Sequence, residues 1–107
     1  MKMKLNIAPL MALIDAKLLD PSQLETMTYV TLPVVEVLSE DKQLKLQVDE
    51  HHIVTLSFEG DSACRAGCRI DIVTSDPQGN IPIGQVIGID MTNATMRERK
   101  IERRISA

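Results

Sequence analysis

Four residues of the kinds that bind metals or act as nucleophiles are His51, His52, Cys64 and Cys68. A tetrahedral zinc shell takes four such donors. Here, however, Cys64-Arg65-Ala66-Gly67-Cys68 leaves three residues between the thiols where zinc knuckles usually leave two, and the histidines are adjacent rather than spaced. The pattern favours a small buried residue at Cys68 and a loop thiol at Cys64, with no metal bound. A cysteine nucleophile also needs a base beside it and a third group to orient that base. Arg65 would lower the thiol pKa of Cys64, but no glycine-rich nucleophile turn surrounds it. The carboxylates Glu59, Asp61, Asp71 and Asp76 are dispersed, with no spacing that defines a metal site or an acid–base pair. Gly79, Gly84 and Gly88 do not form a phosphate-cradling loop between a strand and a helix. No enzymatic activity is expected.

The densest chemistry lies in Met96-Arg97-Glu98-Arg99-Lys100-Ile101-Glu102-Arg103-Arg104-Ile105. Residues 97–104 hold five cations and two glutamates, a local charge of +3 in a chain of net charge −3, so the remainder carries −6. Any anion binding is expected at this end. Arginine presents a planar fork of donors that matches phosphate or carboxylate. Arg99, Lys100 and Arg104 are the candidate ligand-binding residues. The same run also reads as a solvated amphipathic helix over 93–105, with Met96, Ile101 and Ile105 inward and cations suited to a helix C-terminus.

These groups must be positioned by a chain of 107 residues, enough for one domain and one core. Apolar residues make up 44% and charged residues 25%, the balance of a soluble globular protein. Tyr29 and Phe58 are the only aromatics, which argues against a base-stacking surface for single-stranded nucleic acid. Two cysteines do not make a secreted disulfide framework. Pro9, Asp15 and Lys17 interrupt the apolar stretch from Ile7 to Leu19, so neither a membrane span nor a cleaved leader is expected, and the expected location is a bacterial-type cytoplasm.

Ile7, Leu10, Met11, Ile14 and Leu18 recur at helical spacing and predict a helix over 8–19, with Pro9 in its first turn. Asp20-Pro21-Ser22-Gln23 predicts a short second helical turn to about Glu25. Beyond this, the period becomes two. Tyr29 to Val37 predicts a strand that Pro33 confines to an edge or a bend. Residues 43–48 and 53–58 alternate as an antiparallel pair joined by Asp49-Glu50-His51-His52. Ile70 and Ile72 begin another strand, and the turn Ser75–Asn80 leads into a last one over Ile81 to Ile89. That strand would place Ile81, Ile83, Ile87 and Ile89 on one face, with Gly84 and Gly88 opposite, where a close neighbour or strong twist is expected.

The expected fold class is α+β, mostly β: a small antiparallel bent sheet or barrel with an N-terminal and a C-terminal helix. In one small domain, residues 1–26 would be a helical segment, 28–90 the β core and 93–105 the basic helix. One terminal helix would pack over an opening of the sheet.

The string Glu98-Arg99-Lys100-Ile101-Glu102-Arg103-Arg104-Ile105 resembles the basic motif that opens PilZ domains: two cations, three residues, then Arg-Ile. In that family the motif wraps cyclic di-GMP at the mouth of a β-barrel, which implies roles for Arg99, Lys100 and Arg104. In flagellar-brake proteins a separate β-rich domain precedes the motif, and residues 28–90 are similar to it in strand content. The nearest string to the family's second motif, Asp-x-Ser-x-x-Gly, is Asp90-Met91-Thr92-Asn93-Ala94-Thr95, which lies upstream and lacks the glycine. A second resemblance, to the small RNA-binding carbon-storage regulators, runs through Gly67, Gly79-Asn80 and Val86-Ile87-Gly88-Ile89 to the basic segment. The first-strand arginine of those proteins has no counterpart in Ile53–Phe58, and an acidic body disfavours RNA.

The expectation is thus a non-catalytic regulatory or binding module without a cofactor, its partner a cyclic dinucleotide. The alternatives are a protein–protein interaction or self-association domain, in which an exposed Met96, Ile101 or Ile105 would dock, and the RNA-binding regulator.

Overall fold

Apolar alternation at period two, broken by turn residues, dominates the chain. The computed structural model describes residues 3–60 and 64–91. In chain order these form β1 (Met3–Leu5), α1 (Ala8–Asp15), β2 (Ser22–Leu24), β3 (Met27–Leu38), β4 (Gln43–Gln47), β5 (Ile53–Gly60), β6 (Cys68–Ser75) and β7 (Val86–Met91). Strands are ordered β1-β5-β4-β3-β6-β7, all neighbours antiparallel, with β2 added to β3. The two ends of this order meet. Lys4 bridges Gln85, and the Leu5 N–H donates to the Gly84 carbonyl at 2.9 Å. The sheet is therefore a nearly closed antiparallel barrel, mostly β as its sequence periodicity predicts.

The pair β4–β5 follows its alternation directly. Leu44 and Leu46 of β4 face Leu56 and Val54 of β5, and all four are buried in the barrel. Beside them Met3, Leu5, Leu32, Ile70 and Val86 complete an interior built almost wholly from aliphatic side chains. A smaller cluster of Leu24, Val73 and Ile87, flanked by Met27, Tyr29 and Ile81, lies apart from it. Strand β6 serves both, so residues 70–74 are buried without a break.

Strand β3 is not at an edge: it pairs with β6 through Thr28–Pro33 and with β4 through Val34–Leu38. Pro33 marks the changeover, beside a bulge between Val34 and Glu36. The Val34 carbonyl accepts from the Gly67 N–H on the β6 side at 3.0 Å. Neighbouring strand residues point their backbone groups in opposite directions. Pro33, which lacks an N–H, therefore faces the gap between β2, paired as far as Tyr29, and β4, paired from Val34.

Helix α1 begins with Pro9 in its first turn and drives Leu10, fully buried, into the main core. It stops at Asp15 rather than at residue 19. Lys17 takes a left-handed φ of 62°, and the Lys17 and Leu18 N–H groups return to the Ile14 and Leu13 carbonyls, a C-terminal cap that ends the helix. The helical turn expected from residue 20 to about 25 is instead β2, because as a strand against Met27–Tyr29 it buries Leu24 on Val73 and Ile87. The segment 1–26 thus holds one helix between two three-residue strands. The last strand starts at Val86, not Ile81; Ile83 is 60% exposed in the preceding turn, and Ile87 turns away from Val86 at a bulge. Among the described residues α1 is the one helix, so the described architecture is a barrel with a single helix rather than one at each end. The basic helix expected over 93–105 lies outside those residues. Among them, too, no helix is long and apolar enough to cross a membrane.

Candidate ligand-binding surface

The candidate residues Arg99, Lys100 and Arg104 lie outside the described residues, and the structure bears on them through the strand that leads to them. Strand β7 lies along β6 with Arg69 opposite Asp90 and Cys68 opposite Met91. On the other side of β6, Arg69 is opposite Pro33. The approach to β6 is a turn in which the Cys68 N–H donates to the Arg65 carbonyl at 3.1 Å. Arg65 and Arg69 are exposed, whereas Cys64 and Cys68 are buried, at 7% and 1% exposure. The expectation of a buried Cys68 agrees with this. Cys64 is a buried core residue as well, not merely a loop thiol.

The histidines are placed elsewhere, in the β4–β5 connection. The His52 Nδ1 lies 2.7 and 2.9 Å from the two Asp49 carboxylate oxygens, and the His51 N–H donates to Asp49 at 2.8 Å. The backbone hydrogen bond from His51, with the His52 contacts second, holds the Asp49 carboxyl below the ordinary aspartate range. The arrangement stabilises a solvent-facing turn. Among the described residues no three His, Cys, Asp or Glu side chains gather where they could hold a metal.

Asp71 is a carboxylate buried in the barrel wall, 1% exposed in the middle of β6. The Thr31 hydroxyl donates to its carboxylate from β3. Its register partner on β7 is Gly88, which carries no side chain. Tyr29, two residues before Thr31 on the same face, has its hydroxyl pKa raised above 10, first by burial and second by the Asp71 charge. Tyr29 is the only tyrosine, so an absorbance titration near 295 nm reads it alone. The midpoint is expected above the ordinary value of about 10. In Asp71→Asn it should fall only part of the way back, because burial persists. A raised folded-state pKa contributes stability that is present below about pH 10 and lost as pH rises through the folded value. An unchanged midpoint in Asp71→Asn would remove the proposed coupling.

An open groove of about 370 Å³ runs along the seam where the barrel closes. Lys4, Asn6, Ser57, Phe58, Glu59 and Ile83 line it. Nearby, the Lys42 ammonium donates to the Gly60 carbonyl at 3.0 Å and stands 5.5 Å from the centre of the Phe58 ring. This cation is therefore engaged in holding the β3–β4 turn against β5.

Comparison with protein-family models, with curated proteins and with solved structures found no match to this chain. The functional reading accordingly rests on its own residues. The placement of Arg69 opposite Asp90 escaped sequence reasoning because it is a matter of strand register, which no local spacing encodes.

Proposed function

We propose that this chain is a non-catalytic regulatory binding module whose basic segment takes a phosphate-bearing ligand, cyclic di-GMP being the leading candidate. The observation that carries the reading is the segregation of charge along the fold. The last described strand ends at Met91, and a run of net charge +3 follows at 97–104 in a chain otherwise at −6. A β-rich domain followed by a basic motif is the order found in flagellar-brake proteins, and the strand content of the described residues supports the reading. In this reading Arg99, Lys100 and Arg104 grip the phosphates with charge-assisted hydrogen bonds.

Calorimetric titration with cyclic di-GMP at low salt tests it. The native chain is expected to bind in the micromolar range. Arg99→Ala/Arg104→Ala should weaken binding by at least about tenfold, since each contact to a charged group is worth roughly 1.5–3 kcal/mol. Absence of heat from the native chain would end the cyclic di-GMP reading.

A second reading, docking of a protein partner or a second copy, is favoured by Ile83, exposed at the rim of the seam groove beside Phe58. Salt separates the two. An anion clamp weakens as ionic strength rises, whereas apolar docking does not.

A further inference from the structure

We infer that the seam groove is the contact surface of a two-fold dimer, in which each copy seats Ile83 in the other's groove and pairs Lys4 with the partner's Glu59. This deepens the second reading given under Proposed function, on which it rests, and is independent of the ligand reading.

Strands β1 and β5 make the groove. Leu5 is opposite Phe58 in their register, and both are buried, so this pair forms an apolar floor. Lys4 is opposite Glu59 and both are exposed, so a cation and an anion stand side by side on the outer face. Among the described residues the ion pairs are Lys45 with Glu36 and His52 with Asp49, so these two charges are not engaged with each other. Ile83 stands over the rim at 60% exposure, the highest among the exposed large apolar side chains of the described residues. Its backbone is held on both sides. The Gly84 N–H donates to the Val73 carbonyl at 2.8 Å, and the Gln85 N–H to the Pro82 carbonyl at 3.2 Å. An apolar group already fixed in place loses little freedom on docking.

Charge selects the occupant. A small anion drawn to Lys4 meets Glu59, and a cationic segment drawn to Glu59 meets Lys4. A second copy related by a two-fold axis presents the same groups in reversed order, because an isologous contact pairs i with j and j with i. Lys4 then meets the partner's Glu59 twice, and neither charge is left over. Seven residues line the groove, fewer than the roughly 20–30 a side of a standard interface, so the association is weak and needs concentrated protein.

Sedimentation equilibrium from about 20 μM to about 1 mM tests this, a range matched to weak affinities. The mean mass of the native chain is expected to climb from 11.9 kDa toward twice that value. Ile83→Asp should remain at the monomer mass. Lys4→Glu alone and Glu59→Lys alone set like charges together at both contacts, and each should weaken association by about tenfold. Mixed one to one, these two variants oppose Lys and Glu at both contacts and should recover native association to within about twofold. The rescue is specific, since within each copy residues 4 and 59 remain like-charged in the mixture. Circular dichroism checks that every variant is folded. A native chain that associates while the mixture gains nothing over the single variants would overturn the inference and leave docking through another surface. A native chain that stays at the monomer mass throughout would overturn it too, and leave the docking reading to a protein of different sequence.

Discussion

Leu10→Ala is expected to lower the stability of the fold by about 3–5 kcal/mol, the range for deleting a fully buried leucine whose site cannot collapse. Leu10 has no solvent exposure and is the one fully buried residue of α1, with Met11, Leu13 and Ile14 only partly covered around it. An eight-residue helix is too short to persist alone, so its existence depends on this anchorage. The same side chain belongs to the main core cluster of the barrel, and α1 packs against β5. A domain of this size has a total stability of about 5–15 kcal/mol, so the loss is a large fraction of it. Urea unfolding reads the change as a lowered midpoint at similar slope. Leu18→Ala is the comparison. Leu18 is 45% exposed beyond the helix end and should change stability by no more than about 0.5 kcal/mol. Equal effects from the two substitutions would mean that α1 does not seal the core.

Gly84→Ala should destabilise the protein by about 3 kcal/mol, through two separable causes. The residue has a φ of 87°, a region in which an L side chain costs roughly 1–2 kcal/mol. A methyl group there would also stand 2.7 Å from the Leu5 carbonyl oxygen and 3.5 Å from Ile7. Backbone cannot yield as a flexible side chain does. The Gly84 carbonyl accepts from Leu5, and its N–H donates to Val73 at 2.8 Å, so any displacement disturbs the seam from both sides. Gly79→Ala provides the subtraction. Gly79 has a φ of 72° but nothing within 4 Å of the added carbon, so it reports strain alone, about 1 kcal/mol. Thermal or urea unfolding of both variants gives the difference. Equal losses at the two glycines would show that the contact with Leu5 carries no weight.

Where alternation or helical period ran over many residues, the sequence was readable. Val54, Leu56 and Phe58 against Leu44 and Leu46 predicted the hairpin, and Leu10, Met11 and Ile14 predicted the helix. The closeness of a neighbour to Gly84 was also anticipated from a glycine within a predicted strand. Strands β1 and β2 escaped notice because three residues are too few to display a period, and each exists through what it packs on. Met3 and Leu5 need the barrel seam, while Leu24 needs Val73 and Ile87. Pro33 suggested an edge or a bend, whereas β3 pairs on both sides and its irregularity lies just beyond, between Val34 and Glu36. A long central strand tolerates proline there because its partner changes at that residue. Parity put Ile83 on one strand face with Ile81, Ile87 and Ile89, but the turn before β7 and the bulge at Ile87 break the parity that the inference assumed. The candidate ligand residues were legible only as charge, since charge runs carry no register.

The closure of the barrel also has a kinetic meaning. Its β3–β4 and β4–β5 pairings join residues close in sequence, whereas the seam brings Lys4 to Gln85 across most of the described chain. Contacts of such long loop separation form late, after the hairpins have reduced the entropy of closing the ring. Seam substitutions such as Gly84→Ala should then leave the refolding rate nearly unchanged and accelerate unfolding instead. The lifetime of the native barrel, rather than the speed at which it assembles, is set where its first strand meets its last.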